Sequence, residues 1–304
     1  MLTQIRHLLE LIRFSHTLFA LPFAVLAAVM AWVAGARQTP PVDWRLVEVV
    51  GILWCMVTAR SAAMAFNRFA DHDHDGLNPR TKNRHIPAQL LTRGSVGLFA
   101  VLCSMLFVAG TLWFLPNRLP LYLSVPVLLF LLAYSYTKRF TSLAHFWLGA
   151  SLMLAPVSAW IAIRGSQVMA NPIDLLAPLV LGGAVLLWVA GFDIIYACQD
   201  AQFDREAGLH SVPARWGVPS ALRISAACHL GMVALLFVLP VVYPELGWIY
   251  LAGIVSVAIL LAYEHWLVRP DDLTRVNLAF FHVNTIVSVG LLILTSLDLL
   301  LRPL

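Results

Sequence analysis

Apolar residues run along this chain in long blocks, not in the three-to-four spacing of a half-buried surface helix. Nine such blocks stand out: Thr17 to Ala36, Leu46 to Phe66, Ser95 to Leu115, Leu119 to Tyr136, Ser142 to Ile163, Leu175 to Ala197, Leu222 to Val242, Leu246 to Val268 and Leu278 to Leu301. Each approaches the roughly 20 apolar residues that carry a helix across the hydrocarbon of a bilayer. The pattern predicts an all-α membrane protein of nine transmembrane helices. Prolines 22, 126, 156 and 178 fall inside these blocks, where neighbouring groups can satisfy the carbonyls that a kink frees. Composition agrees, because 304 residues that are 60% hydrophobic and 12% charged, with a mean hydropathy of +0.81, hold more apolar surface than a soluble domain can bury.

Polar positions give the orientation. With nine spans, 14 lysines and arginines fall in the loops of one side and 5 on the other, and Arg60 lies within a span. The positive-inside rule then puts the amino terminus and the two longest charged loops in the cytoplasm, as expected of a multi-pass protein of the cell inner (cytoplasmic) membrane. The same loop placement explains the pI of about 9.0 without nucleic acid. Arg6, Glu10 and Arg13 interrupt the first apolar run and no small-residue cleavage pattern follows, so the first helix is expected to be retained. Cys55, Cys103, Cys198 and Cys228 lie in apolar blocks without paired spacing, which argues against disulfides and zinc. No linker or low-complexity segment divides the chain, and residues 1–304 are expected to form one domain. One internal echo exists: the second and sixth spans, four helices apart, both run into an acidic segment flanked by basic residues.

Those two segments concentrate the chemistry. Seven of the 16 acidic residues fall in them: Asp71, Asp73 and Asp75 in the first, Asp193, Asp200, Asp204 and Glu206 in the second. On a helix continuing from the second span, Asn67, Asp71 and Asp75 stack on one face at steps of about 6 Å. Asp193, Asp200 and Asp204, spaced by seven and four, also return to one face. Like charges at such spacing repel, so a cation is expected to offset them. Hard oxygen ligands fit Mg²⁺, which binds through one or two carboxylates plus substrate phosphates. His72 and His74 fall off the Asn67, Asp71, Asp75 face and read as interfacial residues.

Two charged residues lie deeper. Asp193 follows the apolar run Leu181 to Phe192, and a carboxylate at mid-helix costs about 2.5 to 3.5 kcal/mol to insert, which makes it a functional candidate or the partner of an arginine on another helix. Arg60 sits two turns before Asn67, on the same face and about 10 Å further into the membrane. Its guanidinium suits bidentate binding of a carboxylate. Arg80, Lys82 and Arg84 follow the first acidic segment, Lys138 and Arg139 follow the fourth span, and Arg205 and Arg215 lie near the second acidic segment.

At this point the residues resemble a known family. NRFADHDHD, from Asn67 to Asp75, fits the NxxxDxxxD motif of UbiA-type intramembrane prenyltransferases, and DIIYACQDAQFD, from Asp193 to Asp204, fits their DxxYAxxDxxxD motif. The likeness runs nearly end to end. The segment from Asn78 to Pro87, the YxxxKR loop from Tyr134 to Arg139, and Phe280 to Asn284 in the last span all resemble family segments. The resemblance implies a ring of helices around a central cavity open to lipid, with the motifs facing each other. It implies Mg²⁺-dependent transfer of a prenyl chain from a polyprenyl diphosphate to an aromatic ring.

The roles implied follow from charge. Asn67, Asp71, Asp75, Asp200 and Asp204 would hold two Mg²⁺ ions. Arg80, Arg84, Arg139 and Lys138 would help neutralise the departing diphosphate, and Tyr134 and Tyr196 would face the allylic cation. Asp193 would orient the acceptor hydroxyl or take up a proton, and Arg60 would hold the acceptor carboxylate. The nearest likeness is to 4-hydroxybenzoate polyprenyltransferases of ubiquinone synthesis. Relatives opening as Ser15 to Pro22 does leave a hydroxynaphthoate of menaquinone synthesis as the alternative acceptor. An ion-coupled transporter is the rival class, but its acids would more often lie near the midplane on interrupted helices.

Overall fold

The computed structural model of the chain describes residues 7–8, 10–11, 19–38 and 44–301. Among these, the long elements are all helices: α1 (Leu21–Ala36), α2 (Leu46–Ala70), α3 (Arg93–Gly110), α4 (Leu119–Thr137), α5 (Ala144–Ala170), α6 (Leu176–Ala197), α7 (Val212–Val242), α8 (Trp248–Leu267) and α9 (Asn284–Leu301). Among the described residues, eight helical stretches are long and apolar enough to cross a membrane. The first expected span begins on residues outside those described, and its described part, α1, has 16 residues, about 24 Å of helix. Large apolar side chains stand open to the surroundings, with Trp248 82%, Val241 78% and Leu300 73% exposed. In water such a surface would be costly, whereas lipid solvates it.

Contacts sort the chain into two units, one of residues 1–17 and 46–137, the other of 18–45 and 138–304. In the first, α2 packs against α3 and α4. In the second, α6 lies between α5 and α7, α7 packs on α8, α8 on α9, and α9 and α5 both pack on α1. The contact of α5 with α6 is close because Gly149 has no side chain: a Cβ there would stand 2.3 Å from the Leu186 carbonyl oxygen.

Local chemistry sets the helix ends. Thr92 caps α3 by accepting from the Ser95 N–H, and Ser211 caps α7 by accepting from the Ala214 N–H. Pro22 and Pro178 fall in first turns, where no intrahelical N–H is needed, while Pro126 and Pro156 are interior. Within α7 the backbone leaves helical geometry at Gly217, whose φ of 76° favours glycine.

The second unit carries a buried polar network between α6, α8 and the entry to α9. A π-turn, Ala279–Val283, precedes α9. The Asn284 side-chain amide donates to the carbonyls of Phe280 (3.1 Å) and Ala279 (3.4 Å) within that turn, and to Glu264 Oε1 (3.0 Å). Its oxygen accepts from the Trp188 indole N–H at 2.6 Å. Asn284 thus ties two carbonyls of the turn to Glu264 and Trp188 through one buried amide.

Candidate functional site

In the first unit, α2 ends at Ala70 and the backbone breaks at Asp71 (φ −99°, ψ 8°) before a six-residue helix, His72–Leu77. The expected continuous helix is therefore interrupted, yet its register survives, because Asp71 N–H donates to Asn67 O (2.9 Å) and Asp75 N–H to Asp71 O (2.8 Å). Asn67 Nδ2 donates to Asp71 Oδ2 at 2.7 Å. Asp75 is buried, accepts from Arg84 Nη1 at 2.6 Å and has Arg68 Nη1 3.9 Å from its other oxygen. Two guanidinium groups thus stand beside the buried end of the motif. Asp73 faces out, paired with His72 at 3.0 Å.

The second unit repeats the local design. After the turn Cys198–Asp200 the backbone breaks at Asp200 with nearly the same angles (φ −105°, ψ 6°), and another six-residue helix, Ala201–Glu206, follows. Asp204 is 2% exposed and Asp200 7%. Lys138 Nζ lies 3.6 Å from Asp204 Oδ2, and the Lys138 carbonyl accepts from the His210 N–H at 2.7 Å. The echo seen in the sequence is thus a shared backbone device: the middle aspartate of each motif interrupts the helix, and the last one is buried one turn later.

Both last aspartates keep an oxygen without a hydrogen bond, Asp75 Oδ2 and Asp204 Oδ2. Buried carboxylate oxygens in that state are costly in a finished structure, whereas they are suited to a hard divalent cation. Within each unit the donor set, Asn67 and Asp71 beside Asp75 in the first and Asp200 beside Asp204 in the second, fits Mg²⁺.

The remaining candidates are distributed as follows. Tyr196 packs its ring on Phe280, 4.4 Å between centroids, and Phe280 is set by the π-turn that Asn284 holds. Tyr134 is half-buried on the last turns of α4, and Arg80 and Arg139 are exposed. Arg60 is half-buried within α2, with its Nε buried and lacking a hydrogen bond. Arg205 donates to the Ala214 carbonyl (3.4 Å) and Arg215 to Ser142 Oγ (3.2 Å). Among the described residues the partner of Asp193 is His145, not an arginine: His145 Nδ1 lies 2.7 Å from its Oδ2.

Sequence reasoning missed His145, Arg68, Phe280 and Asn284 as site-forming residues. His145 is 48 positions from its partner and carries no local signature. The same applies to His7, Glu10 and His85, which converge in the first unit with Glu10 Oε2 3.3 Å from His7 and 3.7 Å from His85. Burial holds His85 below the ordinary imidazole range against the opposing pull of Glu10.

Comparison with known proteins bears on this geometry. The model of the UbiA prenyltransferase family matches residues 20–286. This chain belongs to the UbiA prenyltransferase family. Among curated relatives, the 4-hydroxybenzoate octaprenyltransferase of Marinobacter nauticus is 34% identical over 226 residues, covering 74% of this chain and 73% of its own. The enzyme of the same name from Tolumonas auensis is 30% identical over 274 residues, covering 88% and 87%. Among solved structures, the apo UbiA homologue of Aeropyrum pernix superposes with a TM-score of 0.77 at 28% identity, over 94% of this prenyltransferase and 97% of that chain. The Archaeoglobus fulgidus homologue with GPP and Mg²⁺ bound superposes with a TM-score of 0.70 at 18% identity, over 97% and 100%, a likeness of fold. This UbiA-family member is a multi-pass membrane enzyme whose two aspartate motifs are intact and similarly folded.

Proposed function

We propose that this protein transfers a polyprenyl group from polyprenyl diphosphate to the ring of 4-hydroxybenzoate, with Mg²⁺ at its aspartates. The observation that carries the reading is the pair of matched helix breaks, each burying an aspartate oxygen without a hydrogen bond. Support for the acceptor comes from the relatives named 4-hydroxybenzoate octaprenyltransferase. The proposal takes residues 1–304 as one polytopic domain of nine helices ringed around a cavity open to lipid. The 14-to-5 excess of basic residues supports an amino terminus and motif loops on the cytoplasmic side of the inner membrane.

Bound Mg²⁺ would supply neutralisation of the charge that builds on the departing diphosphate. The rest falls to the chain. Asn67, Asp71, Asp75, Asp200 and Asp204 would hold two Mg²⁺ ions, and Arg80, Arg139 and Lys138 would add positive charge for the phosphates. Arg84 serves first by fixing Asp75. The carbon–oxygen bond of the allylic diphosphate breaks, and the cationic carbon is held against the faces of Tyr134 and Tyr196 while apolar walls exclude water. Arg60 holds the acceptor carboxylate and Asp193 its reacting end. The ring carbon forms the new carbon–carbon bond and gives up its proton.

The test is the purified full-length protein in lipid, given a long-chain prenyl diphosphate, Mg²⁺ and a panel of acceptors read by mass spectrometry. Prenylated 4-hydroxybenzoate as the main product is the expected result. A preference for a hydroxynaphthoate would move the enzyme to the other acceptor, and no transfer to any aromatic acid would reject the proposal. For the orientation, a cysteine at Lys82 in a background lacking the native four should resist impermeant reagents applied to intact cells. Labelling from outside would place the motif loops on the wrong side.

A further inference from the structure

The proposed chemistry gives Asp193 a reacting group to hold, and a carboxylate does so only if its own orientation is fixed. Asp193 projects from α6 three residues before Tyr196, with its side chain 17% exposed. One of its oxygens, Oδ2, is 2.7 Å from His145 Nδ1, at the second residue of α5. His145 itself is 0% exposed. Its other ring nitrogen, Nε2, accepts the backbone N–H of Val212 at 3.2 Å. In a neutral imidazole one nitrogen donates and the other accepts, so the Val212 N–H assigns the tautomer: Nε2 is the acceptor, and Nδ1 carries the hydrogen that points at Asp193.

That arrangement excludes one role and supports another. A histidine whose far nitrogen is held by an amide N–H cannot pass a proton through the ring, so His145 is no relay. It is a fixed donor. It occupies Oδ2 and leaves Oδ1 as the oxygen able to meet a substrate. The same amide belongs to the first residue of α7, just after Ser211, so the ring also ties α5 to the segment that follows Asp204. Leu209 N–H donates to Asp204 O at 2.7 Å in that segment. Orienting the working side chain through a second, buried partner is a recurrent way of preorganising a site.

We propose that His145 is a positioning residue for prenyl transfer, which holds the Asp193 carboxylate through Nδ1–H while Val212 N–H pins its tautomer. This rests on the reading above that Asp193 acts on the acceptor.

Two replacements separate the halves of the contact. In His145→Asn the amide nitrogen falls near the place of Nδ1 and can still donate to Asp193. In His145→Gln the amide reaches the place of Nε2, where its oxygen can accept from Val212, but nothing donates to Asp193. In the purified full-length enzyme, His145→Gln is expected to lower kcat about tenfold or more, with the KM for prenyl diphosphate unchanged. His145→Asn should recover most of that loss. Added to Asp193→Asn, His145→Gln should cost less than about a further twofold, because the two groups act as a unit.

Thermal melting followed by circular dichroism checks that both variants fold. Should His145→Gln fail to fold, Val212→Pro removes the pinning donor at a first helical position where proline is tolerated, and is expected to lower kcat without changing the KM for prenyl diphosphate. Equal kcat in the Asn and Gln variants, wild-type kcat in either His145→Gln or Val212→Pro, or losses that simply multiply with Asp193→Asn would each overturn the inference while leaving Asp193 in its role. Wild-type kcat in Asp193→Asn would instead overturn the reading on which the inference rests.

Discussion

Asp204→Ala, and separately Asp75→Ala, should reduce prenyl transfer at least about a hundredfold, or roughly 2.7 kcal/mol of barrier, while the protein remains folded and inserted. The two residues are the buried ends of the motifs, and each has an oxygen without a hydrogen bond. Lys138 and Arg68 stand at 3.6 and 3.9 Å from those oxygens, close enough to attract but outside hydrogen-bond range. At Asp204, whose neighbouring Lys138 stands 3.6 Å away, removing the carboxylate should leave the Mg²⁺-free melting temperature unchanged or slightly higher, whereas Asp75→Ala also breaks the buried bond from Arg84 and should lower it. What should disappear is the rise in melting temperature that Mg²⁺ confers on the wild type. Retention of more than about a tenth of wild-type kcat, less than 1.4 kcal/mol of barrier, would show that the aspartates are not the cation's holders.

Arg60→Met should raise the KM for 4-hydroxybenzoate by about tenfold or more, the value of a charged hydrogen-bonded contact of 1.5 to 3 kcal/mol, and leave the KM for prenyl diphosphate nearly unchanged. Arg60 is held inside a span, and its Nε is buried without a hydrogen bond. A guanidinium so placed is costly unless a ligand or water completes it. Methionine keeps the apolar stem and removes the fork. The variant should also lose the preference for 4-hydroxybenzoate over a phenol without the carboxylate. Equal loss toward both acceptors, or an unchanged KM for the acid, would assign Arg60 a structural role.

The spans were legible because apolar blocks of 20 residues have one common physical cause, the absence of water around them. The aspartate faces were legible for a similar reason, since a spacing of four reads directly as one side of a helix. What the spacing did not reveal is that the helix stops and restarts at Asp71 and Asp200, because a break that preserves the backbone bond from Asp71 to Asp75 leaves no mark on the periodicity. Partners between distant segments were hidden altogether. His145 beside Asp193, Glu264 beside Asn284, and His7 near Glu10 and His85 depend on which helices and loops meet, and a single histidine or glutamate in a sequence does not declare its neighbour. Arg84 illustrates a middle case. The sequence places its charge just after the first motif, and only the structure shows its bond to Asp75, which makes it a support for that motif.

The π-turn before α9 also has an evolutionary consequence. A π-turn is an α-helix with one residue too many, and each residue of an α-helix turns the chain by about 100°. Deleting one residue between Ala279 and Val283 would restore ordinary helix, swing Phe280 off Tyr196 and carry the Ala279 and Phe280 carbonyls away from the Asn284 amide. Asparagine would then be a buried amide with fewer groups to bond. The inserted residue and Asn284 therefore form one inheritable unit: lineages should gain them together or lose them together, and an asparagine left without its insertion should be the rarest state.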